Sequence, residues 1–169
     1  MAAKKLLRLV SGVITEVFGV QTSAGAGNAG DIVALRDDGT IDITMMPAGV
    51  GAQTKTVLAS EALTAGNWVN VYNNAGTANV RKADATTAGK ECNGFVLSAI
   101  SSGASGTVYL SGTNNQVTGK TVGKLFLAIT AGGDTATAPS ASGNIVQKIG
   151  YAVSATEVAF EPCDPITLA

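Results

Sequence analysis

Residues 68–82 read WVNVYNNAGTANVRK. Trp68 to Tyr72 is built from β-branched and aromatic side chains, which suit a pleated backbone better than a helix. Asn73-Asn74-Ala75-Gly76 then carries turn chemistry, with a glycine for the left-handed position, and the chain returns through Asn79 to Lys82. The reading is a β-hairpin. Strand alternation sets Val69 and Val71 on one face and Trp68 and Tyr72 on the other, so both faces need cover. Either the fold buries both, or the aromatic pair lies in a subunit contact, where Trp and Tyr are enriched. Trp68 and Tyr72 are therefore candidate interface residues.

The same rhythm extends outward in both directions. The clearest hairpin is Asp31 to Arg36 followed by Asp38-Gly39, a pair suited to a primed turn, with a return through Thr40 to Thr44. A third runs from Leu125 to Thr130 and turns at Gly132-Gly133. Further strands are expected at Thr56 to Ala59, Gly94 to Ile100, Thr107 to Leu110, Ile145 to Val153 and Glu157 to Phe160. Short strands about every ten residues predict an all-β fold, a single β-barrel or sandwich-like domain. Ser60 to Leu63 has room for one helical turn before Gly66 and Asn67, and no helix beyond about two turns is expected.

At the N-terminus, Val10, Val13, Ile14, Thr15, Val17 and Val20 favour a strand or extended arm. Lys4 and Lys5 resemble the start of an export signal, yet Arg8 and Glu16 interrupt the apolar run such a signal needs, so none is expected. Composition changes near Met45-Met46-Pro47, where an uncharged Gly/Ala stretch begins. Residues 1–54 are accordingly read as an N-terminal arm, Gly/Ala loop and hairpin, and 55–169 as the barrel domain. A first segment with so few large apolar side chains does not offset its own ordering entropy, and should pack on the barrel, on sister subunits or on a larger assembly. Met45 and Met46 are either a local core plug or a docking anchor. Lys4, Lys5 and Arg8 form either a solvated terminus or an attachment to an acidic surface.

Charge narrows the function classes. Charged residues make up 14% of the 169-residue chain, against roughly 25% in an average soluble domain. A surface covered instead by Thr, Ser, Asn, Ala and Gly is less costly to desolvate and suits burial against neighbours. The formal net charge of -1 offers no basic excess for nucleic acid. No run approaches the roughly 18–20 apolar residues of a membrane-spanning helix. Histidine is absent, which removes the commonest general base and metal ligand together with any Ser-His or Cys-His pair. No catalytic residue, cofactor or metal is expected. Cys92 and Cys163, far apart and outside any CxxC spacing, are read as free thiols.

Several motifs look chemical and fail on context. Gly25 to Gly30 matches G-x-G-x-x-G, but a strand and hairpin are expected after it where a dinucleotide site needs a helix. Gly119-Lys120-Thr121 resembles the end of a P-loop, yet Asn114 stands where the first glycine belongs. Asp31, Asp37, Asp38 and Asp42 lack the spacing of a calcium loop and read as turn-forming carboxylates. The glutamates are scattered, with no pair set for glycoside hydrolysis.

Three stretches carry a family resemblance: AGNAGDIVALRDDGTIDITMMPAGVGA (26–52), VLASEALTAGNWVNVYNNAGTANVRKADATTAGKECNGFV (57–96) and VQKIGYAVSATEVAFEPCDPITLA (146–169). Together they resemble small virion structural proteins of tailed bacteriophages, most of all capsid decoration, or cement, proteins. The resemblance implies a homotrimer on the outer capsid surface, made and assembled in the host cytoplasm, that binds the major capsid protein and bridges capsomers without catalysis. It implies no residue-level functional site. The Asp-Gly-x-Ile-Asp and Met-Met-Pro elements also resemble pieces of tail-fibre proteins, which keeps open a tail-fibre or baseplate module for host-surface binding.

Overall fold

The computed structural model describes residues 5–46 and 51–169. It is all-β: among the described residues the only helical turns are short 3-10 segments at Gly25–Asn28 and Ile43–Met45, and Ser60 to Leu63 forms none. The chain divides into two compact units, Met1–Gly51 and Ala52–Ala169.

In the first unit, β1 (Lys5–Val10) pairs antiparallel with β2 (Val13–Phe18), from Lys5 opposite Phe18 to Val10 opposite Val13. Where the sequence suggested a single strand or arm, Ser11 and Gly12 reverse the chain. Their φ angles of 49° and 84° are the two positive values a primed two-residue turn requires.

The hairpin expected over residues 31–44 does not form, although its turn does. Arg36 N–H donates to the Thr40 carbonyl at 2.8 Å and Gly39 N–H to the Arg36 carbonyl at 2.9 Å, but no ladder extends from them. The aspartates divert the backbone donors: Asp38 Oδ1 accepts from Thr40 N–H at 2.9 Å and Asp42 Oδ1 from Thr44 N–H at 2.9 Å. Asp42 thereby caps a 3-10 turn where a strand was expected. Residues 32–34 bond to Val20 instead, making an isolated parallel bridge between Val20 and Val33.

The second unit contains a closed barrel of β3 (Thr54–Ala59), β4 (Trp68–Asn74), β5 (Thr77–Lys82), β6 (Gly94–Phe95) and β7 (Ser105–Tyr109), in the order β3-β5-β4-β6-β7. Only β3 and β5 run parallel. The same unit holds β8 (Gly112–Asn114), β9 (Gly123–Leu127), β10 (Asp134–Thr135), β11 (Ile145–Val146), β12 (Lys148–Ser154), β13 (Glu157–Phe160) and β14 (Ile166–Thr167). An open antiparallel sheet has the order β10-β9-β12-β13-β8, and β11 pairs with β14. The β4–β5 hairpin is tighter than its four-residue loop suggested. Ala75 and Gly76 alone make the turn, with φ of 50° and 89°.

Alternation sorts the apolar residues into two cores. Val57, Ala59, Val69, Val80 and Val108 point into the barrel, where Leu63, Val96 and Ile100 join them. The opposite faces of the same strands supply Trp68 and Phe95 to a larger core completed by Leu125, Leu127, Ile149, Ala152, Val158 and Phe160 of the sheet. Trp68 is wholly buried between barrel and sheet. Its ring stacks on Phe160 at 5.6 Å and meets Phe95 edge-on at 5.8 Å. Its Nε1–H donates to Asp134 Oδ2 at 2.8 Å. Lys120 Nζ lies 2.7 Å from Asp134 Oδ1 and neutralises the buried carboxylate.

The expected strand from Ile145 to Val153 breaks at Gln147, whose buried amide serves other backbone. Its Oε1 accepts from Cys92 N–H at 2.8 Å, and its Nε2–H donates to the Cys92 and Cys163 carbonyls at 2.9 and 3.2 Å. Downstream, a Cβ on Gly150 would fall onto the carbonyl of Ala159, so only glycine lets β12 lie this close to β13.

Trp68→Ala should lower stability by about 3–5 kcal/mol in urea unfolding, through the lost ring and the stranded Asp134. Ala75→Asn should raise it by a few tenths to about 1 kcal/mol, because asparagine tolerates the left-handed turn position better. Unchanged midpoints for both would contradict the packing and the turn described.

Candidate assembly surface

The candidate residues from the sequence divide between the units, and only some face outward. Trp68 corrects its expectation as a subunit-contact residue: at 0% exposure in its own unit it has no surface to offer. Tyr72 shares its strand face but stands nearer the hairpin end, half-buried, with the Arg81 guanidinium 4.2 Å over its ring. Arg81 is itself held by Asn70 Oδ1 at 3.0 Å and the Gly89 carbonyl at 2.6 Å, so this stack is a fixed surface feature. The structure thus does not bring Trp68 and Tyr72 together as one exposed patch.

Met45 is half-buried and Met46 is 41% exposed at the end of the 3-10 turn that Asp42 caps. Hydrogen bonds from Thr44 hold the Asp42 carboxyl below its ordinary range, and Arg36 pairs with it at 3.2 Å. The other early aspartates also serve local structure. Asp38 accepts from Thr40, and Asp31 accepts from Arg8 and Asn28. Among the described residues no group of three or more His, Cys, Asp or Glu gathers as metal ligands would. Gly25 to Asn28 is a single 3-10 turn.

Lys4, Pro47 and the Ala48 to Val50 stretch lie outside the described residues. Lys5 and Arg8 do not form one basic patch. Lys5 Nζ lies 2.6 Å from Glu16 and 5.5 Å from the Phe18 ring, while Arg8 reaches Asp31 at 3.4 Å. The two cations stand on opposite faces of the β1–β2 hairpin, because their positions differ by an odd number.

That hairpin presents the apolar surface that residue-by-residue reading missed. Opposed residues share a face, so Lys5 and Phe18, Leu7 and Glu16, and Leu9 and Ile14 line one side. Leu7, Leu9, Ile14 and Phe18 are 75%, 67%, 71% and 59% exposed. The other side carries Leu6 and Val17, both half-buried, with Arg8, Thr15 and the exposed Val10 and Val13. Ile32, Val33 and Leu35 are also exposed in this unit. An exposed apolar stripe of this kind is a candidate interaction surface. Its signal in the sequence was alternation on both sides of Ser11-Gly12, which is legible once that pair is taken as a turn.

The thiols have contrasting surroundings. Burial pushes the Cys92 thiol up to about 12, whereas Cys163 is exposed. Native protein at pH 8 should therefore release one equivalent of thionitrobenzoate from a disulfide reagent, and two after denaturation, matching its two cysteines. Rapid reaction of both thiols in the native state would contradict the burial of Cys92.

No protein-family model matches the chain, and no curated protein matches it. Among solved structures the chain is similar to the head fiber gp8.5 N base in bacteriophage phi29, at 13% sequence identity and a TM-score of 0.49, over 66% of this chain and 95% of that one. A likeness of this degree carries no argument about partners or activity.

Proposed function

We propose that the protein is a structural component of a tailed-bacteriophage particle, a decoration protein that binds the outside of the assembled capsid as a homotrimer and bridges neighbouring capsomers. The carrying observation is the pairing of a rigid barrel-and-sheet unit with a first unit whose large apolar side chains stand exposed. A surface poor in charge, as the 14% of charged residues implies, supports the same reading by lowering the cost of desolvation on docking. The sequence resemblance to decoration proteins adds the shell as partner. The chain acts by binding and performs no catalysis.

The mechanism is linkage. A ligand that binds the assembled shell and not its free subunits stabilises the shell, as a ligand stabilises a native fold. In a trimer, the first contact raises the effective concentration for the second and third, so individually weak contacts sum to firm attachment.

Purified protein should co-sediment with mature heads stripped of decoration, leave free capsid subunits in the supernatant, and raise the temperature at which heads release DNA. Protein that ignores heads overturns the proposal. Binding to host cells, with antibody label at the tail in micrographs, would instead place it in a tail fibre or baseplate, and degradation of polysaccharide by the purified chain would make it an enzyme.

A further inference from the structure

We infer that the Leu7, Leu9, Ile14 and Phe18 face of the β1–β2 hairpin packs against the same face of sister copies of this chain, and so is the element that joins the oligomer. The inference deepens the proposed function and rests on it for one step: a decoration protein exists free in solution before it meets a shell.

A free chain with this stripe bare is prone to aggregate. An isolated two-stranded hairpin is also marginal in water and needs further packing to persist. Some occupant must therefore be present before docking, and a second copy is always present at matching concentration.

Charge identifies the occupant more closely. The face carries one cation, Lys5, on β1 and one anion, Glu16, on β2. An acidic partner would meet Glu16 with like charge, and a basic partner would meet Lys5 in the same way. Lys5 and Glu16 pair with each other within one hairpin at 2.6 Å, and a copy of this face extends that pair to its neighbour when the β1 side of one hairpin lies along the β2 side of the next. That arrangement is head-to-tail and closes into a ring around a symmetry axis, with the apolar residues turned inward.

Area points to a closed ring over a simple pair. At roughly 60–120 Å² of apolar surface per large side chain, the four residues offer about 400 Å² per copy. A standard interface buries about 800 Å² on each partner. One pairwise contact is thus too small to hold alone; a closed ring divides the same area between two neighbours, but no copy can leave without breaking both contacts at once.

The test uses the full chain in sedimentation velocity at micromolar concentration. Wild type should sediment as a closed oligomer. The double variant Leu7→Ser/Ile14→Ser should sediment as monomer, with the fluorescence of Trp68 unchanged as proof that the barrel unit is intact. Glu16→Lys and Lys5→Glu should each weaken association, and mixing these two variants should produce mixed oligomers that neither forms alone. The mixing result separates contact between copies from the Lys5–Glu16 pair within one hairpin.

A monomeric wild type overturns the inference. If that monomer still binds heads and Leu7→Ser abolishes binding, the shell covers the face; if Leu7→Ser only lowers its unfolding midpoint, the chain's own second unit does. Leu7→Ser/Ile14→Ser protein that keeps the wild-type oligomer also overturns it. An oligomer that loses association with Leu7→Ser/Ile14→Ser yet never binds heads sustains this inference while defeating the proposed function.

Discussion

The second unit depends on one buried side chain. Trp68 is apolar enough to fill the space between barrel and sheet, and polar enough to need a partner there. Asp134 supplies that partner, and Lys120 supplies the charge that makes a buried carboxylate tolerable. The three groups come from β4, β10 and the segment before β9, so the contact ties the barrel to the edge of the sheet. Phe95 extends the tie by packing on Trp68, Phe160 and Tyr109. Because neighbouring residues on β4 and β7 feed different cores, neither core can loosen without moving strands that also wall the other.

Closure of the barrel adds to this rigidity by removing free strand edges from that part of the molecule. The first unit is organised on the opposite principle. Its hairpin uses alternation to create two apolar faces, and the more exposed one, with Leu7, Leu9, Ile14 and Phe18, has no counterpart within the hairpin. Local polar contacts, such as Lys5 with Glu16 and Arg8 with Asp31, fix its shape without supplying a core.

Turn chemistry explains what was legible beforehand and what was not. Asn-Asn-Ala-Gly at 73–76 announced a hairpin, and β4 and β5 pair on either side of the turn although Asn73 Oδ1 takes the Gly76 N–H at 2.7 Å. Asp-Asp-Gly at 37–39 announced another, but Asp38 and Asp42 bound nearby backbone donors and left no ladder. From Gly94 to Ile100 only the first two residues kept a strand, with an isolated bridge from Ile100 to Leu63 beyond it; Val96 and Ile100 turned into the barrel core. The short β8 and β14 had no periodicity to betray them. Among the interface candidates, Tyr72 kept surface and Trp68 did not, although the pattern treated them alike.

Residue types alone determined an all-β chain, sparing in ionic groups and without histidine, because β-branched runs between glycines leave the backbone few alternatives. They also determined that Trp68 and Val69 would face opposite ways. Only the tertiary structure decided that both directions lead inward at Trp68, because burial is set by which distant strand arrives on each side. The same holds for the N-terminal stripe. Alternation wrote the apolar residues into the chain, but their exposure is a property of what packs against them, which local sequence does not encode.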